Sequence, residues 1–192
     1  MEQEKRTRLS PQARRAQLIT LGVALLATRT LDQLSVEDVA EQAGVSRGLL
    51  FHYFASKQDF HLAVVRETSR ALLAATEPDP SLPPLQALRG SVSSFVDFVT
   101  ENRDCYLALL RGTASGDPAM RQVFDETRTA MAERTLAAAT ELGLPTGARG
   151  RLAVRGWVAF VEEAVISWLT GEDLAREELL ELVTGVLVTL RG

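Results

Sequence analysis

SVEDVAEQAGVSRGLLFHYFASK, residues 35–57, decides the reading of this chain. Val36, Val39, Ala40 and Ala43 recur at helical spacing before Gly44, and Leu50 and Phe54 do so after it. Both sets predict short helices, each with one buried stripe. Gly44 and Val45 supply the turn between them, because glycine readily takes the positive φ that ends a helix. Ser46 stands where an N-cap belongs, its hydroxyl placed to accept a free amide of the following helix. A helix pair this short, followed directly by another helix, is the helix-turn-helix arrangement that lays its second helix in the DNA major groove.

Charge distribution fits a site-specific binder. The net charge is −4 over 192 residues, which argues against coating nucleic acid by bulk attraction. Residues 1–66 carry nine Lys/Arg against seven Asp/Glu, whereas residues 67–192 carry twelve against eighteen. No carboxylate lies between Glu41 and Asp59, and Arg47 and Lys57 fall inside that window. Lys5, Arg6, Arg8, Arg14 and Arg15 form a second basic cluster, which an ordinary solvated face accounts for equally well. Joined to the helix pair, a small basic surface on an acidic body points to DNA.

An apolar content of 46% supports a substantial core. No apolar run approaches the roughly 18 residues that span a bilayer, and the charged N-terminus lacks a signal-like apolar stretch. A lone Cys105 rules out an internal disulfide framework and suits a reducing compartment. These features lead to the expectation of a soluble, cytoplasmic protein with no membrane partner.

Cap signals divide the chain. Ser10 and Pro11 open a first helix running to about residue 28. Ser35 with Asp38, and Ser56 with Asp59, read as capping boxes for the second and fourth helices. Residues 77–84, with four of the seven prolines, form a loop. Beyond it, helices are expected over 85–100, 103–113, 118–142 and 146–170, with a last one capped by Asp173 and ending at Leu190. Alternating β-branched runs are missing. The expectation is an all-α fold of about nine helices, with residues 1–66 as the DNA-binding domain and 67–192 as an effector-binding and dimerisation domain.

VEDVAEQAGVSRGLLFHYFASKQDFHLAVV is similar to the N-terminal domain of the tetracycline-repressor-type (TetR/AcrR) regulators, over roughly residues 10–66. The GVSxGxLxxYFxSK core is specific to that family among helix-turn-helix proteins. WVAFVEEAVISWL resembles, more weakly, a helix of the family's C-terminal halves. The resemblance implies a recognition helix from Arg47 to Tyr53. It implies that Arg47 reads a base, which arginine can do bidentately at guanine. Gly48 would let the backbone approach the groove, and Leu49 would touch a thymine methyl. Tyr53 and Lys57 would bind phosphates, Lys57 with help from a helix dipole. Ser35 and Ser46 would reach phosphate oxygens as well as capping, and His52 would contact phosphate or base. Phe51 stands where the family usually has tyrosine, so one phosphate contact is lost. Thr30 stands where glycine commonly ends the first helix, so the turn there must be built otherwise.

The family encloses a small effector within its C-terminal helices, and Phe95, Phe98, Tyr106, Phe124, Met131, Trp157 and Phe160 are the apolar candidates. Glu163, three positions after Phe160, is the polar candidate. For any one of these residues, plain core packing is the simpler reading. Trp157, Val161, Val165 and Trp168 form a stripe suited to a dimer bundle or the core. His52 and His61 show no ligating pattern, and neither HExxH nor CxxC occurs. No metal, cofactor or catalytic group is expected. The expected protein is a homodimeric repressor on a palindromic operator in double-stranded DNA, released by a small-molecule effector. Two rivals stand beside it: a DNA-binding dimer without a small-molecule effector, and an all-helical enzyme or carrier.

Overall fold

The computed structural model of the chain describes residues 9–26, 28–103, 106–107 and 117–190. Eight helices form among them: α1 (Pro11–Leu26), α2 (Val36–Gln42), α3 (Arg47–Tyr53), α4 (Lys57–Ala75), α5 (Pro84–Glu101), α6 (Pro118–Ala137), α7 (Gly147–Thr170) and α8 (Arg176–Thr189). Most of the further helix expected over 103–113 lies outside the described residues, as do Cys105 and the basic residues Lys5, Arg6 and Arg8.

Local chemistry sets most helix starts. Ser10, Ser35, Ser46 and Ser56 each accept an amide three residues on, at 3.0–3.2 Å. The reciprocal halves of both expected capping boxes go elsewhere. Asp38 pairs with Arg29, and Asp59 accepts the amide of Ala55 at 2.9 Å. Asp173 does not cap the last helix. That helix begins at Arg176, where Glu178 reaches back to the amide of Ala175 at 3.0 Å. The helix expected to run to residue 142 stops at Ala137 and continues as turns. Gly44 has φ +63°, the left-handed geometry its turn requires. No non-glycine residue has positive φ among those described, so Thr30 fits its turn without strain. Its amide donates to Gln33 Oε1 at 3.1 Å, and its carbonyl accepts from the amides of Gln33 and Leu34.

Two apolar clusters organise the chain. One gathers Leu18, Leu26, Leu34, Val39, Leu50, Phe54, Phe60 and Val64 from α1 to α4, completed by Met120 and Val123 of α6. The other gathers Phe95, Val96, Tyr106, Trp157, Val161, Val165, Leu180 and Val183 with Leu72 of α4. Helices α4 and α6 therefore contribute to both, so the head and the body share two continuous struts. At the α1–α4 crossing, a Cβ on Gly22 would sit 2.6 Å from Val64 Cγ2, so only glycine permits this approach. Among the described residues no helix is long and apolar enough to cross a membrane.

Candidate nucleic-acid interface

Helix α3 is amphipathic in the most economical way. Leu50 and, at its end, Phe54 are buried and anchor it to α1 and α4. Phe54 meets Phe60 edge-on with centroids 5.0 Å apart, and Arg15 stacks over the Phe54 ring. The remaining turns face outward. Arg47, Gly48, Leu49, Phe51 and His52 are exposed, and Tyr53 is half-buried. Leu49 and Phe51 are large apolar side chains left partly in solvent on so short a helix.

Electrostatics sharpen this face. Arg47 Nε lies 3.0 Å from Glu37 Oε1, and its guanidinium sits 5.5 Å from the Phe51 ring centroid. Lys57 is exposed at the first turn of α4, its Nζ 3.5 Å from the carbonyl of Asp32. Ser35 and Ser46 retain hydroxyl protons free to donate while their oxygens cap. Ser46, Arg47, Gly48, Leu49, Phe51, His52 and Lys57 are all exposed, and Ser35 and Tyr53 are half-buried. His61 is different. It is buried and donates from Nε2 to the carbonyl of Leu34 at 3.0 Å, and burial holds its pKa below the ordinary 6.5. Among the described residues, no group of three or more His, Cys, Asp or Glu is placed to hold a metal ion.

Beside the second cluster lies a cavity of about 440 Å³ that opens to solvent, lined by Thr76 at the end of α4, by α5, α6 and α7, and by the proline loop. Of the expected effector residues, Phe95, Met131 and Trp157 line it. Tyr106 is buried beside it, edge-on to Phe95. Phe98 and Phe160 pack against the same cluster without lining the space, and Phe124 belongs to the head cluster instead. Glu163 is exposed and accepts from Ser167 at 3.4 Å.

The buried carboxylate in the wall belongs to its neighbour, Glu162, only 5% exposed. Arg128 Nε donates to Glu162 Oε2 at 2.5 Å, and the Tyr106 hydroxyl donates to the same carboxylate. Burial raises the pKa of Glu162, opposed by Arg128, and burial also raises that of Tyr106. The signal was present in the sequence. Val158, Glu162 and Val165 fall on one helical face, so a carboxylate interrupts a buried apolar stripe. Arg134, also missed, donates to the carbonyl of Leu73 at 2.6 Å, pairs with Glu77 and lines the cavity.

A helix-turn-helix head with an exposed cationic recognition helix, joined by struts to a hollow helical body, defines a DNA-binding regulator. The chain belongs to the tetracycline-repressor family. Residues 18–64 match "Bacterial regulatory proteins, tetR family", and residues 84–189 match "Tetracyclin repressor-like, C-terminal domain". It is similar to the HTH-type transcriptional activator FasR of Mycolicibacterium smegmatis, 25% identical over 86% of this chain and 76% of that protein. It is 33% identical to the repressor KstR2 of the same organism, over 42% of this chain and 40% of that protein. A tetR-family regulator from Streptomyces coelicolor superposes with TM-score 0.78 at 28% identity, over 93% of this chain and 79% of that one. The chain is thus a transcriptional regulator, of a family that acts by binding DNA and not by catalysis.

Proposed function

We propose that the chain is a homodimeric, ligand-responsive repressor that binds a near-palindromic operator through residues 1–66 and reads an effector in residues 67–192. The outward face of α3 carries this reading: Arg47, Gly48, Leu49 and His52 stand clear of the body on a helix anchored from behind. Arg47 is assigned to a base edge, Leu49 to a thymine methyl, and Ser35, Ser46, Tyr53 and Lys57 to phosphates. Such chemistry takes place where the chromosome is, so the cytoplasm is the proposed location.

Pairing is supported by α7 and α8. Leu152, Gly156, Ala159 and Glu163 form one exposed stripe, and Leu182 with Gly185 forms another. Nothing lies within 4 Å of a Cβ built on Gly156 or Gly185, so a partner's helices have room to approach. Two-fold pairing there would set the recognition helices one DNA turn apart, about 34–36 Å.

Release follows from α4, which begins at Lys57 and whose C-cap, Thr76, lies in the cavity wall. An effector that shifts this end would change the spacing of the heads. A coupling of about 1–3 kcal/mol lowers operator affinity roughly 5–150-fold. Footprinting on DNA upstream of the chain's own gene tests the proposal: an inverted repeat overlapping a promoter is expected, and no protected site would refute it. Similarity to FasR over most of the chain favours activation as the second reading. A site lying wholly upstream of the promoter would select it.

A further inference from the structure

Taking the cavity as an effector site, as proposed above, we infer the class of molecule it takes: an apolar body carrying a protonated amine, with the matching carboxylate excluded. The walls are apolar, from Leu88, Val92, Phe95, Met131, Trp157 and Val161. The charges are lopsided. Glu77, Asp79, Glu141 and Glu162 line the space; Arg134 pairs with Glu77 and Arg128 with Glu162, so the surplus negative charge is carried by Asp79 and Glu141 at the rim.

Hydrogen-bonding capacity points the same way. Each side-chain donor in the described lining is already engaged by the protein. Thr76, Ser91 and Thr135 donate to carbonyls one turn back within their own helices, those of Leu72, Ala87 and Met131. Trp157 Nε1 donates to the carbonyl of Val183 at 2.7 Å, and Arg134 serves Leu73, Thr76 and Glu77. Acceptors remain. Glu162 takes one bond from Arg128 and one from Tyr106, while a carboxylate accommodates about four. Asp79 and Glu141 are exposed at the rim. An ammonium brings three donors and no acceptor, which complements this wall. An anionic head would meet surplus negative charge at the rim and, for donors, only those N–H groups of Arg134 not spent on Leu73, Thr76 and Glu77, and burying it so is unfavourable.

The test displaces a neutral cavity dye, N-phenyl-1-naphthylamine, from the full-length chain with dodecylammonium or dodecanoate below their micelle concentrations. Dodecylammonium should displace the dye at a concentration lower by about tenfold or more, the worth of one charge-assisted hydrogen bond. With the dye re-titrated for each variant, Glu162→Gln should shrink that preference to about threefold or less. The rim variant Asp79→Asn with Glu141→Gln should reduce it in the same direction, and it reads the charge argument without touching the buried triad. Equal displacement by both compounds, or preference for dodecanoate, overturns the ligand class while leaving the cavity reading intact. Failure of the dye to bind, with no change in tryptophan emission on adding either compound, overturns the cavity reading and this inference together.

Discussion

Arg47 and Glu37 bridge α2 and α3, Nε to Oε1 at 3.0 Å. Both side chains are more than half exposed, so the pair is worth at most about 1 kcal/mol. It orients the guanidinium outward without trapping it. A guanine edge offers two acceptors in the same plane and can replace the single carboxylate contact. Arg47→Ala should therefore cost about 1–3 kcal/mol and relax specificity at one base position. Glu37→Gln should tighten operator binding by up to about fivefold, since a competing charge is removed. Fluorescence anisotropy on the operator and on single-base variants measures both.

At the head of α4, Lys57 makes a long contact to the carbonyl of Asp32. Its proposed partner is a phosphate, a contact that carries no sequence information. Lys57→Ala should weaken binding to all duplexes alike and reduce the slope of log affinity against log salt by about one. Titrations at several salt concentrations supply the slope, and an effect confined to one sequence would contradict the assignment.

Gly22 sits where α1 packs on α4 with no room for a side chain. A methyl there meets Val64 Cγ2 at 2.6 Å and Phe60 Cζ at 2.9 Å. Overpacking of this kind costs about 1–3 kcal/mol. Gly22→Ala should lower the melting temperature despite alanine's better helix propensity, whereas Gly90→Ala, with open space around it, should not.

His61 gives the head a pH dependence whose sign is fixed by burial. Its folded pKa lies below 6.5, chiefly because burial disfavours the charged ring and Lys57 adds to this, against the opposing Leu34 hydrogen bond and Asp32. The unfolded chain therefore takes up the proton first as pH falls. His61 contributes its full stability above about pH 6.5 and loses it progressively below. Thermal melts at about pH 7.5 and 5.5 should show a drop that His61→Leu largely removes, whatever that variant's absolute stability.

The head was readable because short-range chemistry specifies it. Ser10, Ser35, Ser46 and Ser56 cap as expected, and Gly44 turns as expected. The body was less readable because its assignments depend on a helix's rotation about its axis. One residue is about 100° of turn, enough to place Glu163 outside and Glu162 in the wall. Phe124 shows the same problem along an axis. Helix α6 serves two clusters, and periodicity does not say where one gives way to the other. The close approach at Gly22 depends on how α1 and α4 cross, a tertiary fact that no local spacing records. The last helix begins at Ala175–Arg176 because Glu178 supplies the reciprocal half of a cap that Asp173 was expected to make alone.

The central claim is that α3 enters the major groove as one half of a symmetric pair. Selecting bound duplexes from a random pool with the purified chain tests it most directly. The account expects enrichment of an inverted repeat whose half-site centres lie one helical turn apart, with affinity falling steeply as salt rises. Enrichment of a single asymmetric site, or of nothing, would contradict it.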